Sequence, residues 1–296
     1  MFFNTITEYL CDTVNSFLEE INGMSSLCDL RNVSFESGKL PDYTNRAQAL
    51  LYCLRYHFGY AFEYEYIYIN HILNSFDSDQ INILSIGCGN GIDLWALDHA
   101  IKRSGSQIKS VNYIGVDRVD WKAYFDCSLD GNVTYLQCEI SELQERFENI
   151  DVLILPKSIS ELNEDALKHI AKIITCSSDE LYVVASFRSD LGNLCSDGDK
   201  FEFLINQLAN NGYAIIEGNL AGCYYVDGPD AIVSHYNDYI YPDEALDYIC
   251  NLYSTCKQTG DNEDFKTICS NQLSRKPILT KNYIRYNIVK LRRYNI

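Results

Sequence analysis

The sequence lacks several features that would place it in a specialised class of protein. Its 12 cysteines include no C-x-x-C pair, the spacing from which zinc sites are usually built. No apolar run approaches the roughly 18 residues that a membrane-spanning helix needs. The first residues, Met1 to Thr5, contain no basic segment followed by an apolar one, so no signal peptide is predicted. These absences favour a cytoplasmic protein with reduced, mostly buried thiols and no metal site.

Basic residues are scarce as well, with 24 Lys and Arg against 41 Asp and Glu in 296 residues and a net charge of -17. A general nucleic-acid binder needs a cationic face, so this charge argues against one. The segment 273–296 is the exception, because it carries seven basic residues and no acid. Such an end could face RNA or an acidic partner, or acidic groups of the same molecule could neutralise it, and we expect the second.

The N-terminal part, residues 1–79, predicts a helical region. Apolar residues at three- and four-residue spacing predict a helix over 6–21 and a longer one over about 44–73. The longer helix carries tyrosines spaced four apart, which form one slowly winding stripe: Tyr52, Tyr56, Tyr60, Tyr64 and Tyr68. The stripe is interpreted either as a packing ridge or as a source of hydroxyls for a ligand pocket.

From residue 80 onward, short apolar runs alternate with amphipathic segments, which predicts a doubly wound α/β domain over 80–296 with a mostly parallel sheet. Strands are predicted at 81–86, 111–116, 133–137, 150–155, 181–187, 213–218 and 283–291. Helices are predicted between them at 92–103, 120–127, 141–147, 163–175 and 199–210. The polar stretch 219–281, with a helix near 243–253, is too long for a simple connection and is interpreted as an inserted cap.

The sharpest motif is the end of the first predicted strand, Ile81 to Ile86, which runs into Gly87-Cys88-Gly89-Asn90-Gly91 and then a helix. Glycines allow a sharp turn and a close approach of ligand to backbone, and the N–H groups of the helix start favour a polar or anionic ligand. A dinucleotide site needs G-x-G-x-x-G, and the third glycine of that pattern would fall on Ile92. Nicotinamide or flavin binding is therefore disfavoured.

Carboxylates follow the next two strands. Asp117 ends the second strand, where it could accept hydrogen bonds from ribose hydroxyls, and Glu139 ends the third, where it could accept from an adenine amino group. Each residue could instead cap the segment that follows it.

The glycine turn, the two carboxylates and the fourth strand with its continuation, Asp151 to Ser158, together resemble the class I S-adenosylmethionine-dependent methyltransferases. The resemblance covers about residues 80–218 and the last strand. It implies a seven-stranded Rossmann-like sheet whose last strand is antiparallel and inserted beside strand five. It also implies a methyltransferase that uses S-adenosyl-L-methionine. The predicted cofactor-binding residues are Gly87, Cys88, Gly89, Asn90, Gly91, Asp93, Asp117, Arg118, Glu139 and Ser158.

The sequence departs from this family at two points. An acidic residue usually stands two positions before the first glycine, where this chain has Ser85, and Asp93 is expected to compensate by contacting the ammonium group of the ligand. The segment Leu155-Pro156-Lys157-Ser158 is not the signature of enzymes that methylate exocyclic base nitrogens. The segment from Ser158 to Leu162 is more weakly similar to ribosome-associated methyltransferases.

The catalytic residue and the methyl acceptor are not identified by the sequence, and a small-molecule acceptor is slightly favoured over a protein side chain. Candidates for contact with the acceptor are Tyr64, Lys157 and His235, each of which could equally be structural. Four further histidines lie on predicted helices, where structural roles are expected: His57, His71, His99 and His169. Two alternatives stay open, a non-catalytic cofactor-binding or interaction module and an RNA-associated methyltransferase-like protein.

Overall fold

The computed structural model of the chain describes most residues and supports the predicted α/β fold. The described ranges are 2–3, 5–24, 26–34, 41–176, 180–188, 191–220, 224–227, 240–256, 263–279 and 283–294. His235, predicted as an acceptor contact, lies outside them.

A central sheet organises the molecule. Its seven long strands are β1 Gln80–Ile86, β2 Ser110–Asp117, β3 Asp130–Gln137, β4 Val152–Pro156, β5 Glu180–Ser186, β6 Tyr213–Gly218 and β7 Tyr283–Arg293. Their order in space is β6-β7-β5-β4-β1-β2-β3. Strands β1 to β5 are parallel, whereas β7 runs antiparallel to both β5 and β6. The expectation of an antiparallel last strand inserted beside the fifth is therefore confirmed.

The strand predictions succeed because the central strands are buried on both faces and read as nearly continuous apolar runs. Every residue of β4 is buried, and so are the last six residues of β5. The parallel arrangement brings the carboxyl ends of β1, β2, β4 and β5 to one edge of the sheet, and this edge carries the site described below.

Helices flank the sheet at α1 Ile6–Asn22, α3 Ile92–Ser104, α4 Glu164–Ile173, α5 Leu191–Asn210, α6 Asp243–Cys250 and α7 Glu263–Leu273. Two predicted helices are wrong. Residues 120–127 contain instead a two-residue strand, Tyr124–Phe125, which pairs with Phe2–Phe3. Of residues 141–147, only the first two belong to a helical turn, Ile140–Glu142, and Phe147 begins a short strand, Phe147–Ile150.

The tyrosine-bearing segment 46–75, here called α2, is continuously helical but not uniform. It consists of Arg46–Tyr52, a wider π-type turn Cys53–His57, Phe58–Ile67, a second π-type turn Tyr68–Ile72 and a final tight turn Leu73–Ser75. Such turns alter which side chains share a face of the helix. All residues from Cys53 to Glu65 are buried, so this central part of α2 is enclosed by the fold.

The described part of the predicted cap, 219–281, packs on the N-terminal helices. Thr7 donates to the carbonyl of Ile240, and the hydroxyl of Tyr241 donates to the carbonyl of Leu54. The buried guanidinium of Arg55 donates to the carbonyls of Gln272 and Leu273 at the C-terminus of α7, where a positive charge is favourable. The residues that cover the ligand pocket come from the N-terminal region rather than from this part of the insertion.

The basic C-terminal segment is partly neutralised inside the molecule, as expected. Lys290 and Arg292 on β7 both pair with Glu180 on β5, at 2.7 and 2.6 Å. The guanidinium of Arg275 lies 5.9 Å from the centre of the Tyr56 ring.

The nine cysteines with described surroundings are free thiols, but only Cys53, Cys88 and Cys269 are buried, so the expectation of mostly buried thiols is wrong for this set. Within the same described ranges, no cluster of His, Cys, Asp and Glu is arranged to hold a metal ion. None of the helices described combines the length and apolar character needed to cross a bilayer.

Candidate functional site

A pocket lies at the edge of the sheet where β1, β2, β4 and β5 end. Its walls come from the glycine turn after β1, from the segments that follow the other three strands, and from the N-terminal half of α2. The lining residues are Tyr43, Tyr52, His57, Tyr60, Tyr64, Gly87, Cys88, Gly89, Ile92, Asp117, Arg118, Val119, Trp121, Pro156, Lys157, Ser158, Glu161 and Arg188. Six of the predicted cofactor-binding residues are among them.

The glycine turn is fixed to the sheet by its backbone. Both Gly87 and Cys88 donate to the carbonyl of Val116 at the end of β2, at 2.7 and 3.2 Å. Gly87, Gly89 and Gly91 all have positive φ, which other residues rarely adopt. The turn therefore needs glycine for its backbone conformation, before any ligand is considered.

The three glycines differ in what surrounds them. A Cβ atom on Gly87 would overlap Ser158, and one on Gly91 would overlap the hydroxyl of Tyr135. A Cβ on Gly89 would meet only the face of Trp121, at 3.8 Å. Gly87 and Gly91 are thus required by neighbouring side chains of the protein itself, whereas at Gly89 a Cβ atom would make only an ordinary contact with Trp121.

Asp117 joins the glycine turn to the loop after β2. Its carboxylate accepts from the N–H of Gly89 and from the N–H of Val119, both at 2.8 Å. Burial raises the pKa of Asp117, although these two N–H bonds act in the opposite direction. A carboxylate offers about four acceptor positions, so Asp117 can still accept hydrogen bonds from the hydroxyls of a bound ligand.

Glu139 does not reach the pocket. It caps the helical turn Ile140–Glu142 in a capping box, in which its side chain accepts from the backbone of Glu142 and the Glu142 carboxylate accepts from the backbone of Glu139. Asn90 is fully buried within the turn, outside the pocket lining, and its side-chain atoms have no hydrogen-bond partner among the described residues.

Asp93 lies behind the glycine turn rather than in the pocket. The hydroxyl of Tyr113 donates to both of its oxygens, at 3.0 and 3.2 Å, and Ser85 stands beside it. Burial raises the pKa of Asp93 to about 6, because a charged carboxylate is poorly solvated there. The first turn of α3 thus places the carboxyl group of Asp93 next to Ser85. Ser85 occupies the position at which the family pattern has an acidic residue.

The tyrosine stripe has a mixed role. Tyr52, Tyr60 and Tyr64 line the pocket, whereas the hydroxyl of Tyr56 donates to the carbonyl of Val33 and Tyr68 is fully buried outside the lining. Desolvation by burial raises the pKa of each pocket tyrosine, so their hydroxyls stay protonated at neutral pH.

His57 also reaches the pocket, which its place in the sequence did not predict. The wider turn Cys53–His57 brings its ring into edge contact with Tyr52, five positions earlier, with centroids 5.4 Å apart. Burial lowers the pKa of His57 to about 3, so the imidazole is neutral at physiological pH.

Lys157, a predicted contact to the acceptor, lines the pocket next to β4 and is held there in an ion pair. Its Nζ lies 2.5 Å from Oε1 of Glu63 on α2 and donates to the carbonyl of Phe187. The neighbouring Ser158 donates to the carbonyl of Ile86 at 2.5 Å. These bonds tie α2 and the end of β4 to the strands on either side of the pocket.

Three charged residues form a row along the pocket, and we call them the charged rim. The carboxylate of Glu161, after β4, lies 2.5 Å from the guanidinium of Arg188, after β5, and 3.7 Å from that of Arg118, after β2. Burial lowers the pKa of Arg188, but Glu161 and the facing tyrosines raise it overall. The charged rim therefore places two guanidinium groups and one carboxylate along the pocket.

The pocket is narrow, with about 70 Å³ of free space between its walls. Pockets that hold drug-sized ligands usually measure about 300–1,000 Å³. A nucleoside-sized ligand therefore requires the aromatic wall to move, either at α2 or at the loop that carries Trp121.

The donor and acceptor groups of the pocket fit S-adenosylmethionine, apart from the predicted adenine contact. Asp117 can accept from hydroxyls, and Gly89 lies beside it in the pocket lining. The tyrosine rings offer faces that attract a cationic group such as a sulfonium. Glu139, the predicted partner of the adenine amino group, lies elsewhere.

Sequence reasoning missed the residues that complete the pocket: Tyr43, Trp121, Glu161 and Arg188. They belong to loops that are far apart in the chain, and the parallel sheet brings them together. One signal was available, since each of the last three follows a predicted strand within a few residues, where ligand-binding groups of such sheets collect.

No protein-family model matches the sequence, and no curated protein matches it. A plantazolicin methyltransferase solved with S-adenosylhomocysteine is 13% identical, over 94% of this chain and 99% of that one, with a TM-score of 0.40. The YcgJ protein of Bacillus subtilis is 12% identical, over 79% and 99%, with a TM-score of 0.38. Geranyl diphosphate C-methyltransferase of Streptomyces coelicolor is 8% identical, over 78% and 79%, with a TM-score of 0.34. These low values identify neither an activity nor an acceptor for this chain, but the strand order agrees with the seven-stranded Rossmann-like sheet expected from the sequence.

Proposed function

We propose that this protein is an S-adenosylmethionine-dependent methyltransferase that acts on a small-molecule acceptor. The observation that carries the proposal is the bond between the Asp117 carboxylate and the N–H of Gly89. This bond joins the glycine turn after β1 to the acidic tip of β2, at the edge where sheets of this topology bind ligands.

The cofactor supplies an electrophilic methyl group on its sulfonium. The chain contributes binding and orientation: Asp117 and Gly89 hold one end of the ligand, and the tyrosine rings exclude water and stabilise positive charge. No cofactor-binding part is proposed for Glu139 or Asp93, whose side chains lie outside the pocket, and none for the side chain of Asn90.

A small acceptor is favoured by the shape of the pocket. Lys157, Arg188, Tyr60 and Tyr64 all line this narrow pocket, and the Nζ of Lys157 lies 5.3 Å from the centre of the Tyr60 ring. A small molecule needs a smaller movement of the aromatic wall than a folded RNA or protein surface does. Tyr64 and Lys157 remain the proposed contacts to the acceptor.

Calorimetry with S-adenosylhomocysteine tests the cofactor assignment. We expect saturable binding at about 100 μM protein, and a loss of at least about tenfold in affinity for Asp117→Ala, because hydrogen bonds to a charged group contribute about 1.5–3 kcal/mol. Asp120→Ala is the matched control, since Asp120 lies in the same loop outside the pocket lining and pairs with Lys122. Absence of binding to the wild-type protein would sink the proposal.

Activity is tested separately, with methyl-labelled S-adenosylmethionine and a pool of small molecules. Label transferred to a small molecule by the wild-type protein, and not by Asp117→Ala, is the expected result. Label found only on added RNA or protein would overturn the proposed acceptor class but leave the cofactor assignment standing.

A further inference from the structure

The charged rim lies at the mouth of the pocket. The exposed fractions of its side chains are 54% for Arg118, 24% for Glu161 and 17% for Arg188, whereas the deeper lining residue Tyr64 is fully buried. The three rim residues come from separate loops after β2, β4 and β5, which the parallel sheet brings to one edge. A ligand that enters between these loops passes the rim.

The rim carries more positive than negative charge, in a chain whose net charge is -17. Its two guanidinium groups share one carboxylate, that of Glu161, at 2.5 and 3.7 Å. The other charged residues of the lining are bonded elsewhere, Lys157 to Glu63 and Asp117 to two backbone N–H groups. One positive charge in excess at the rim favours an anionic group on the ligand.

The surroundings of Arg188 suit a carboxylate. Burial lowers the pKa of Arg188, but nearby groups raise it, among them three pocket tyrosines: Tyr43, Tyr52 and Tyr60. Burial raises the pKa of each of these tyrosines, so their hydroxyls stay protonated and can donate hydrogen bonds. Asp197, buried outside the pocket lining, accepts from the backbone N–H of Arg188 and holds its main chain. A guanidinium with hydroxyl donors nearby matches a carboxylate, which accepts about four hydrogen bonds.

Glu161 can give up its place in the rim. It ends a short helical turn, Ile159–Glu161, and its side chain is partly exposed, so it can turn towards solvent without a change in the backbone. A carboxylate from a ligand can then take the same position. Both guanidinium groups keep an anionic partner in this exchange, and their planar shape suits either carboxylate.

We propose that the charged rim binds a carboxylate group of the methyl acceptor, which replaces Glu161 between Arg118 and Arg188. This inference rests on the proposed function, because it takes the pocket to hold a methyl acceptor. It narrows the acceptor class from small molecules in general to small carboxylic acids. It also makes Arg188 a specificity-determining residue that selects against neutral acceptors.

NMR titration with benzoate, in the presence of saturating S-adenosylhomocysteine, tests the rim, and benzamide is the neutral probe of similar shape. We expect benzoate to bind at least about tenfold more tightly than benzamide, because hydrogen bonds between charged groups are the stronger ones. Arg188→Gln should remove this difference. Glu161→Gln should strengthen benzoate binding about threefold or more, because the competing carboxylate is gone, and should leave benzamide binding unchanged.

Two further variants make the test specific. Glu180→Gln is the matched control, since Glu180 also lies between two cations, Lys290 and Arg292, but outside this pocket, and it should change neither affinity. Arg118→Gln alters a largely exposed side chain and should weaken benzoate binding about threefold. It keeps the test decisive if Arg188→Gln does not fold.

The outcomes separate this inference from the proposed function. If the wild-type protein does not bind S-adenosylhomocysteine, the proposed function fails first and this inference fails with it. If it binds, but benzoate and benzamide do not differ or Glu161→Gln weakens benzoate binding, the carboxylate site is overturned and the cofactor assignment stands. Competition between benzoate and S-adenosylhomocysteine would assign the rim to the cofactor's own carboxylate, which also overturns the inference.

Discussion

The buried carboxyl group of Asp93 lowers the stability of the folded protein at neutral pH. Its folded-state pKa of about 6 lies above the ordinary value of 3.8, so the folded protein holds this proton more tightly than the unfolded chain does. Between these pH values the unfolded chain ionises first, and stability falls as pH rises. The cost is absent below about pH 4 and complete above about pH 6.

We therefore expect Asp93→Asn to become more stable relative to wild type as pH rises. The difference in the free energy of unfolding between variant and wild type should increase by up to about 3 kcal/mol from pH 4 to pH 7.5. The amide keeps the size of the side chain and carries no charge. Urea denaturation at both pH values measures the change. A difference between variant and wild type that is equal at the two pH values would show that Asp93 ionises in the folded protein as freely as in the unfolded chain.

The pocket residues that could be predicted from the sequence are those that directly follow a clearly marked strand. Asp117 and the glycine turn are 26 positions apart or more, yet both sit at strand ends that the apolar runs mark clearly. Glu139 follows an equally clear strand end, but its side chain is hydrogen-bonded in the capping box with Glu142 and does not line the pocket. Arg188 and Trp121 also follow predicted strands, but only the assembled sheet shows that the ends of β5 and β2 meet at one pocket.

At the scale of one element, the backbone conformation of the turn 87–91 requires glycine at three positions, independently of any ligand. All three glycines have φ between 60° and 85°, so an alanine at any of them is strained. Only the contacts of the added methyl group differ from one position to the next.

We expect Gly91→Ala to destabilise the protein most, because its methyl group would overlap the Tyr135 hydroxyl. Gly89→Ala should cost only about 1–2 kcal/mol, like the control Gly105→Ala, whose methyl group would meet no atom within 4 Å at a similar φ of 67°. Affinity for S-adenosylhomocysteine should fall for Gly89→Ala and not for Gly105→Ala. Chemical denaturation and calorimetry give the two readouts, and equal affinity for both variants would contradict a ligand at Gly89.

Helix α2 is attached to the sheet edge by the buried pair of Glu63 and Lys157. The exposed fractions of these side chains are 0% and 6%. Removal of one partner from such a pair leaves a buried charge, which usually costs about 3–5 kcal/mol.

Glu63→Gln is accordingly expected to destabilise the protein by about 3 kcal/mol, and the double variant Glu63→Leu/Lys157→Met by less than that. The exposed pair of Lys168 with Asp165 is the control, and Lys168→Met should cost less than about 1 kcal/mol. Thermal denaturation with calorimetric enthalpies measures these three together with the single variants Glu63→Leu and Lys157→Met. A double variant that is as unstable as the sum of its two single variants would contradict a coupled pair.

The failed helix predictions belong to this scale as well. Residues 120–127 have a helical pattern of apolar positions, but Tyr124 and Phe125 pair with Phe2 and Phe3 from the far end of the chain. A periodicity is a local property, and this pairing joins residues more than a hundred positions apart. The central strands were predicted well because a strand that is buried on both faces consists of consecutive apolar residues, which the sequence shows directly.

For the whole molecule, the charge of -17 and the pairing of Lys290 and Arg292 with Glu180 predict weak contact with nucleic acid. We expect no saturable binding of a single-stranded RNA up to about 10 μM protein at 150 mM salt. Fluorescence anisotropy of a labelled oligonucleotide measures this. A dissociation constant below about 1 μM at that salt concentration would instead favour the RNA-associated alternative.

The insertion packs on the N-terminal helices, and these contacts affect the order in which the chain folds. Thr7 bonds to Ile240 and Arg55 to Gln272 and Leu273, contacts that span more than 200 residues. During synthesis, α1 and α2 leave the ribosome well before the surfaces that cover them, because those surfaces lie more than 200 residues later in the chain. Contacts of such long range slow folding, because the chain must close a large loop before they form. The α2 rings that line the pocket are therefore translated well before the segments whose contacts fix their position.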